Sequence, residues 1–571
     1  MIVLACALAL FAWGKVRHDL VALIALAACL LLGLVPASRA FSGFADPAVI
    51  VIVAVLIIGR AVEITGAADA LTDRLAALQA PFALQLAALL IVGAALSAFM
   101  NNIAALAITM PAVVGVCRAS NLPASAGLMP LAFATILGGM TTLIGTPANL
   151  ILSSVREDQL GAPFAFFAMT PVAGAVALAG VAYICLIGWR LTPRRDAGEG
   201  ADDGLLATFE LGPLASDDLD EPTSEKILER LKSAKVAVLA VLRGSRALDL
   251  ETARPLQARD RLLVTSTSDP LDVARKAALP MHGQRSQADD ATTIVAVVGY
   301  GSPLNGRPFD EIRWETNGDI AAIAGGVRAA GERAPLSRLR IEAGDQLTIH
   351  GSAARIAEYA RYARLLEVAR RPIVSFNRAR AAIAVAIYAA AVVASAAFGM
   401  STAFTFTAAA AGLAALRFLP PKEIYSSVDW SVIVLIGAMI PVGQSFQTSG
   451  AADIASAALA DLLGGASLFW AAAALATATM LLSIFLNNVA TAIIMGQIGV
   501  SVAYSIGVSP DALLIAVLIG ASSDFLTPIG HQNNLLVMGP GNYRFIDYGR
   551  MGAPLAIIVI LTTAYMIDLT F

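Results

Sequence analysis

Runs of about 18 or more apolar residues recur along the chain, the length at which a helix crosses the hydrocarbon of a bilayer. They fill residues 1–195 and 376–571 and stop in between. This pattern predicts a polytopic α-helical membrane protein built in two halves. Residues 1–13 are expected to be a retained first helix, because no basic stretch precedes their apolar run as in a signal peptide. Between the halves, short alternating or β-branched runs bounded by Gly, Pro and Asp predict strands. There "VAVLAVLR" (236–243) and "DRLLVTS" (260–266) recur 85 residues later as "AAIAGGVR" (321–328) and "DQLTIHG" (345–351). Such internal duplication predicts two small α/β domains, at 205–285 and 286–370.

The apolar halves are themselves related. "DPAVIVIVAVLIIGRAVEITGAAD" (46–69) aligns with "DWSVIVLIGAMIPVGQSFQTSGAAD" (429–453). After each comes an amphipathic segment, with Asp69 and Asp453 as expected helix caps. Next comes an Asn-Asn element, "SAFMNNIAAL" (97–106) or "SIFLNNVATA" (483–492). Last is a helix broken by glycine, "GGMTTLIGTPANL" (138–150) or "SSDFLTPIGHQNNLL" (522–536). Two unpaired amides in hydrocarbon would cost several kcal/mol, so a plain spanning helix is excluded there. A re-entrant hairpin with Asn-Asn at its tip fits, because irregular backbone is tolerated where protein buries it or a cavity lies beside it.

The tips and breaks offer oxygen ligands: the Asn carbonyl, the Ser hydroxyl four residues before each pair, and carbonyls freed near glycine and proline. Hard cations such as Na⁺ want such oxygens, and N–H groups at the following helix start suit an anion. Each half can then build one cation site, while the two tips together clasp one anion. Asp524, inside an apolar helix where the other half has Gly139, is a further candidate, for a cation or a coupling proton. His531, at the second break, is a candidate to touch substrate or to titrate.

Charge sets the expected orientation. Basic residues cluster at Lys15, Arg17 and His18, at Arg190, Arg194 and Arg195, at Arg370, Arg371, Arg378 and Arg380, and at Arg417 and Lys422. The positive-inside rule puts these in the cytoplasm. That implies a cytoplasmic insert (196–375), both termini external, five crossings per half and an inverted repeat, the plan of secondary transporters. Arg544 and Arg550 fall in the last cytoplasmic loop as anchors.

Composition agrees. Only 14% of the 571 residues are charged, against about 25% in soluble domains. A net charge of −3 argues against a nucleic-acid partner. The cysteines Cys6, Cys29, Cys117 and Cys185 carry no metal spacing, and no nucleophile–base pair suggests an enzyme. "VVGYGSPLNG" (297–306) lacks the third glycine of a dinucleotide loop, and Pro303 and Pro308 spoil the helix that should follow.

Two resemblances sharpen this reading. "GSPLNGRPFDEI" (301–312) and "IEAGDQLTIHG" (341–351) resemble TrkA-C regulatory domains, which implies binding of an unknown small ligand that regulates the attached transporter. The first copy keeps "PLQARDRLLVTS" (255–266) but has "ASDDLDEP" (215–222) in place of the glycine-proline turn. The membrane halves resemble the divalent anion/sodium symporter family through "SAFMNNIAALAITMP", "GGMTTLIGTPANL", "SIFLNNVATAIIM" and "TPIGHQNNLLVMGPGNYRFIDYGRMG". That resemblance implies a homodimer in an inner membrane whose lipid-embedded transport domain moves like an elevator. It implies one Na⁺ site at Ser97, Asn102 and Gly145 and another at Ser483, Asn488 and Gly530. The anion would meet Asn101, Ile103, Thr146, Pro147, Asn487, Val489, His531 and Gln532.

Dicarboxylate carriers of that family bear Ser-Asn-Thr at each tip, whereas Ile103 and Val489 stand here. The lost hydroxyls favour a compact oxyanion, sulfate first, over a dicarboxylate, and the sulfate-permease-like branch. A sodium- or proton-coupled carrier or exchanger of a dicarboxylate or other anion, and a channel gated by the insert, stay open as alternatives.

Overall fold

The computed structural model describes residues 17–65, 80–193, 207–212, 221–233, 236–244, 246–250, 259–266, 270–277, 279–281, 291–369, 378–450, 466–484 and 488–571, with a few further single positions. Most of residues 1–13, both amphipathic segments with Asp69 and Asp453, and Asn487 lie outside the described residues.

Among the described residues, seven helices are long and apolar enough to cross a membrane, and six more apolar helices are shorter. The helices of the first half are α1 (His18–Leu31), α2 (Pro47–Ile64), α3 (Phe82–Phe99), α4 (Asn102–Ala119), α5 (Ser125–Gly139), α6 (Pro147–Leu160) and α7 (Thr170–Tyr183), of which α6 is not one of the apolar ones. The second half has α8 (Arg378–Phe398), α9 (Thr402–Ala415), α10 (Trp430–Thr448), α11 (Leu468–Ser483), α12 (Asn488–Ile506), α13 (Pro510–Ala521), α14 (Gln532–Met538) and α15 (Asp547–Thr570). The Asn-Asn pairs fall at the α3–α4 and α11–α12 turns, and the glycine breaks separate α5 from α6 and α13 from α14.

Local chemistry explains the boundaries. Asp46 caps α2 by accepting from the Ala48 N–H at 2.8 Å, with Pro47 in the first turn where its missing donor costs nothing. α6 repeats the device, with Thr146 as cap and Pro147 next. Close packing sets the helix pairs. A Cβ on Gly138 would overlap the Ala94 carbonyl, pressing α5 onto α3. One on Gly520 would come 2.5 Å from the Ala476 carbonyl, pressing α13 onto α11 in the same way. Small residues allow this backbone approach where lipid supplies no hydrophobic drive between helices.

The halves interlock. α1 packs on α10 and α2 on α9, while α4, α5 and α6 of the first half meet α12, α13 and α14 of the second. An aromatic cluster ties the seam: Phe133 meets Phe525 edge-on at 5.2 Å, and the Tyr548 hydroxyl donates to the Asn534 carbonyl at 2.5 Å. Tyr543 likewise donates to the Ser125 carbonyl and accepts from the Met129 N–H. The "GNYRFIDYGRMG" stretch thus fastens α14 and the start of α5 into one unit.

Among the described residues the insert forms one eight-stranded sheet of β1 (Ala207–Leu211), β2 (Ala237–Arg243), β3 (Arg246–Leu248), β4 (Arg261–Ser266), β5 (Ala291–Val298), β6 (Ile320–Gly325), β7 (Gln346–Ser352) and β8 (Leu365–Ala369), in the order β3-β2-β4-β1-β6-β7-β5-β8. Strand β1 (Ala207–Leu211) pairs antiparallel with β4 (Arg261–Ser266) of its own copy and with β6 (Ile320–Gly325) of the other, so the copies share a sheet. Each copy carries an equivalent ion pair. Asp260 takes Arg243 Nε and Nη2 at 3.0 and 2.8 Å and accepts from the Gln257 N–H. Asp345 takes Arg328 Nε and Nη2 at 2.7 and 2.5 Å and accepts from the Glu342 N–H. In both copies the aspartate raises the arginine's pKa through this charge-assisted bonding.

The insert also touches the helices. Val297 belongs to the membrane-half core, with Val295 and Leu366 packed against it. The turn at Gly344, in the left-handed region at φ +89°, lies against Met538, and a Cβ on Gly539 would overlap the Gly344 carbonyl.

Candidate functional site

Two polar clusters lie where the tips meet the breaks, built from equivalent residues. In the first, the buried Ser97 hydroxyl donates to Asn102 Oδ1 at 2.6 Å. Gly139 closes on this pair, since a Cβ there would overlap Asn102 Oδ1, and a Cβ on Gly145 would overlap the Gly139 carbonyl. Ser97, Asn102 and Gly145 thus converge through Gly139. In the second cluster the Ser483 hydroxyl approaches Asn488 Oδ1 at 3.3 Å and the Ala521 carbonyl at 3.0 Å. Asp524 faces both Ser483 and Asn488, and a Cβ on Gly530 would come 2.8 Å from Asp524 Oδ1.

Each break is held open by an asparagine. Asn149 Nδ2 donates to the carbonyls of Gly139 at 3.0 Å and Thr142 at 2.7 Å. Asn534 Nδ2 donates to the carbonyls of Asp524 at 2.6 Å and Thr527 at 3.0 Å. The spacings, ten and seven residues back, are identical. Backbone carbonyls that a helix would have used are so paired and fixed in a loop. These two asparagines lie in the motif stretches but were not singled out by reading the chain. Their signal was available, because each stands four residues after the break glycine, Gly145 or Gly530.

The clusters are joined across the halves. Asn102 Nδ2 lies 3.3 Å from His531 Nε2, while His531 Nδ1 accepts from the Asn533 N–H. Asn533 Nδ2 bridges to the Asn102 carbonyl at 3.0 Å and the Thr135 hydroxyl at 2.9 Å. Asn533 and Thr135 are further residues that sequence reasoning missed; neither has a polar counterpart in the repeat.

The expected anion residues are divided. Asn101 is exposed and caps α4, its Oδ1 accepting from the Ile103 N–H at 2.9 Å. Thr146 is buried and gives its hydroxyl proton to Asn149 Oδ1 at 2.8 Å, so that proton points into the loop. Val489 is buried, Ile103 and Pro147 are half-buried, and Gln532 is exposed. Ser523 gives its proton to the Ile519 carbonyl and Ser522 has no partner, so neither serine satisfies Asp524. Among the described residues no cluster of His, Cys, Asp and Glu could hold a transition metal.

This arrangement of broken helices clamped around paired polar tips is set in a polytopic helical chain. Residues 8–520 match the family described as citrate transporter (CitMHS). The chain belongs to that family. It is 30% identical over 609 residues to the uncharacterized transporter YfbS of Escherichia coli (strain K12), covering 100% of this chain and 98% of that one. An uncharacterized transporter of Synechocystis sp. (strain ATCC 27184 / PCC 6803 / Kazusa), sll0640, is 29% identical over 594 residues, covering 100% and 96%. Sodium/sulfate cotransporter 2 of Chlamydomonas reinhardtii is 26% identical over 307 residues, covering 50% and 34%. The chain is a multi-pass membrane transporter, and its family is not one of enzymes.

Proposed function

We propose that this protein is a sodium-coupled importer of a compact divalent anion, sulfate first, working as an inner-membrane homodimer by an elevator motion. The observation that carries the reading is the duplicated Ser-Asn-Gly cluster set beside a duplicated asparagine clamp. Each cluster gathers neutral oxygens that suit Na⁺. A merely structural pair of amides would not need a second copy with the same clamp spacing. Sulfate takes precedence because Ile103 and Val489 offer no hydroxyls to a longer diacid, and because some relatives are named sodium/sulfate cotransporters. On this reading the tips are re-entrant, the halves are inverted repeats, the termini are external, and the cytoplasmic insert is a pair of TrkA-C-like domains that take a small regulatory ligand.

A second reading, citrate or another carboxylate as cargo, is favoured by the family's own description. Radiolabelled uptake into proteoliposomes separates them, with sulfate, succinate and citrate compared under an inward gradient of Na⁺ or of choline. The proposal expects Na⁺-dependent sulfate uptake that succinate and citrate compete weakly. Citrate uptake with no sulfate uptake would replace the cargo, and uptake driven by a proton gradient in choline would replace the coupling ion.

A further inference from the structure

Asp524 is 1% exposed, and neither carboxylate oxygen accepts a hydrogen bond. Among the described residues no lysine, arginine or histidine forms an ion pair with it. A buried carboxylate left so is costly, by several kcal/mol in general, and the neutral Ser483 and Asn488 side chains that face it supply no counter-charge. Three more oxygens nearby in the chain are in the same state: Asn533 Oδ1, Asn534 Oδ1 and Ser522 Oγ are buried without partners. The region is rich in acceptors and short of donors.

The first half is built differently at each of these points. Asn149 Oδ1, the counterpart of Asn534 Oδ1, is satisfied by Thr146. At the counterpart of Asp524 stands Gly139, where no side chain fits against Asn102. So one cluster is neutral and saturated, and its twin holds a carboxylate and spare oxygens.

We propose that Asp524 makes the second cluster a charged Na⁺ site, the cation being held by the Asp524 carboxylate with Asn488 Oδ1 and Ser483 Oγ, while the first cluster binds Na⁺ through neutral oxygens alone. Ser483 directs its proton to the Ala521 carbonyl, which leaves oxygen lone pairs for a cation. Gly530 keeps the carboxylate uncovered, since any side chain there would crowd Oδ1. The ligand set is all oxygen, which selects a hard cation. A full negative charge in a low-dielectric pocket makes the second site the tighter of the two. His531 does not take this role, since its two ring nitrogens face Asn533 and Asn102. The inference rests on the sodium-coupled reading above.

The test is thermal unfolding of the purified full-length protein across a Na⁺ titration, with choline keeping ionic strength constant, for wild type, Asp524→Asn and Asn102→Ala. Without Na⁺, Asp524→Asn is expected to unfold at a higher temperature than wild type, because an uncompensated buried charge is gone. With saturating Na⁺ the gap closes or reverses, and the Na⁺ concentration for half-maximal stabilisation rises roughly tenfold or more in Asp524→Asn. A purely structural carboxylate would make Asp524→Asn less stable at every Na⁺ concentration, which overturns the proposal. So would an unchanged Na⁺ response in Asp524→Asn beside a lost one in Asn102→Ala, an outcome that leaves sodium coupling intact. A wild type indifferent to Na⁺ would instead overturn the sodium-coupled reading and this inference with it.

Discussion

The two breaks use one clamp to hold two different chemistries. Asn149 and Asn534 donate to carbonyls at the same spacings, so the loop geometry is common to both halves. Around that shared frame the first break is closed on itself: Thr146 caps α6 and satisfies Asn149, and Gly139 is flush with Asn102. The second break keeps Asp524 where the first has Gly139 and His531 where the first has Thr146, and its oxygens stay unpaired. The comparison teaches that the two breaks share the backbone device while the side chains facing it differ. The frame is what makes a site possible; the facing residues decide its charge.

The sharpest way to break the comparison is to exchange the divergent residue. Gly139→Asp puts the second half's carboxylate into the first, where even a Cβ overlaps Asn102. Overpacking costs about 1–3 kcal/mol and a second unpaired carboxylate adds several more, so no monodisperse folded protein is expected on size exclusion in detergent. Folded, Na⁺-responsive protein would show that the site has more room than the structure gives it.

Removing the clamps comes next. Asn149→Ala leaves the Gly139 and Thr142 carbonyls and the Thr146 hydroxyl without their partner, whereas Asn534→Ala orphans only two carbonyls. At about 1–3 kcal/mol for each buried group left unpaired, both variants lose stability and Asn149→Ala loses more. Thermal unfolding of the two variants side by side reads this difference. The reverse order would show that the unpaired oxygens of the second break already depend on its clamp for something else.

The smallest effect on the site is expected from the insert. Deleting residues 200–368 removes the contact of Gly344 with Met538 and the packing of Val297. The carrier should stay in the membrane with its anion ranking unchanged and its uptake rate altered, as a competition panel in proteoliposomes would show. A changed ranking would mean that the insert shapes the anion site through α14.

Reading the chain found the tips, the breaks and the duplicated insert because each appears as a local break in a periodic pattern. It did not find what depends on distant pairing. The joining of β1 to β6 links residues of the two insert copies that no local signal relates. The bridge from Asn533 to Asn102 and Thr135 crosses more than half the chain. Thr146 is among the residues that the family resemblance assigns to the anion, and its hydroxyl proton goes to Asn149, three residues on in the same motif stretch, a pairing that shows only once the break is folded. Composition gave no view of any of these, since an apolar chain hides its few polar partners until the helices are packed.

On the proposed function each half builds one cation site from its Ser-Asn-Gly cluster. Equilibrium binding of ²²Na⁺ to the purified protein, wild type against Asn102→Ala and Asn488→Ala, tests it most directly. The account expects two Na⁺ per chain in the wild type and one fewer in each variant, since each loses the amide oxygen at the centre of its cluster. A variant that keeps the wild-type count would contradict the claim for that half, and a wild type that binds no Na⁺ would contradict it for both.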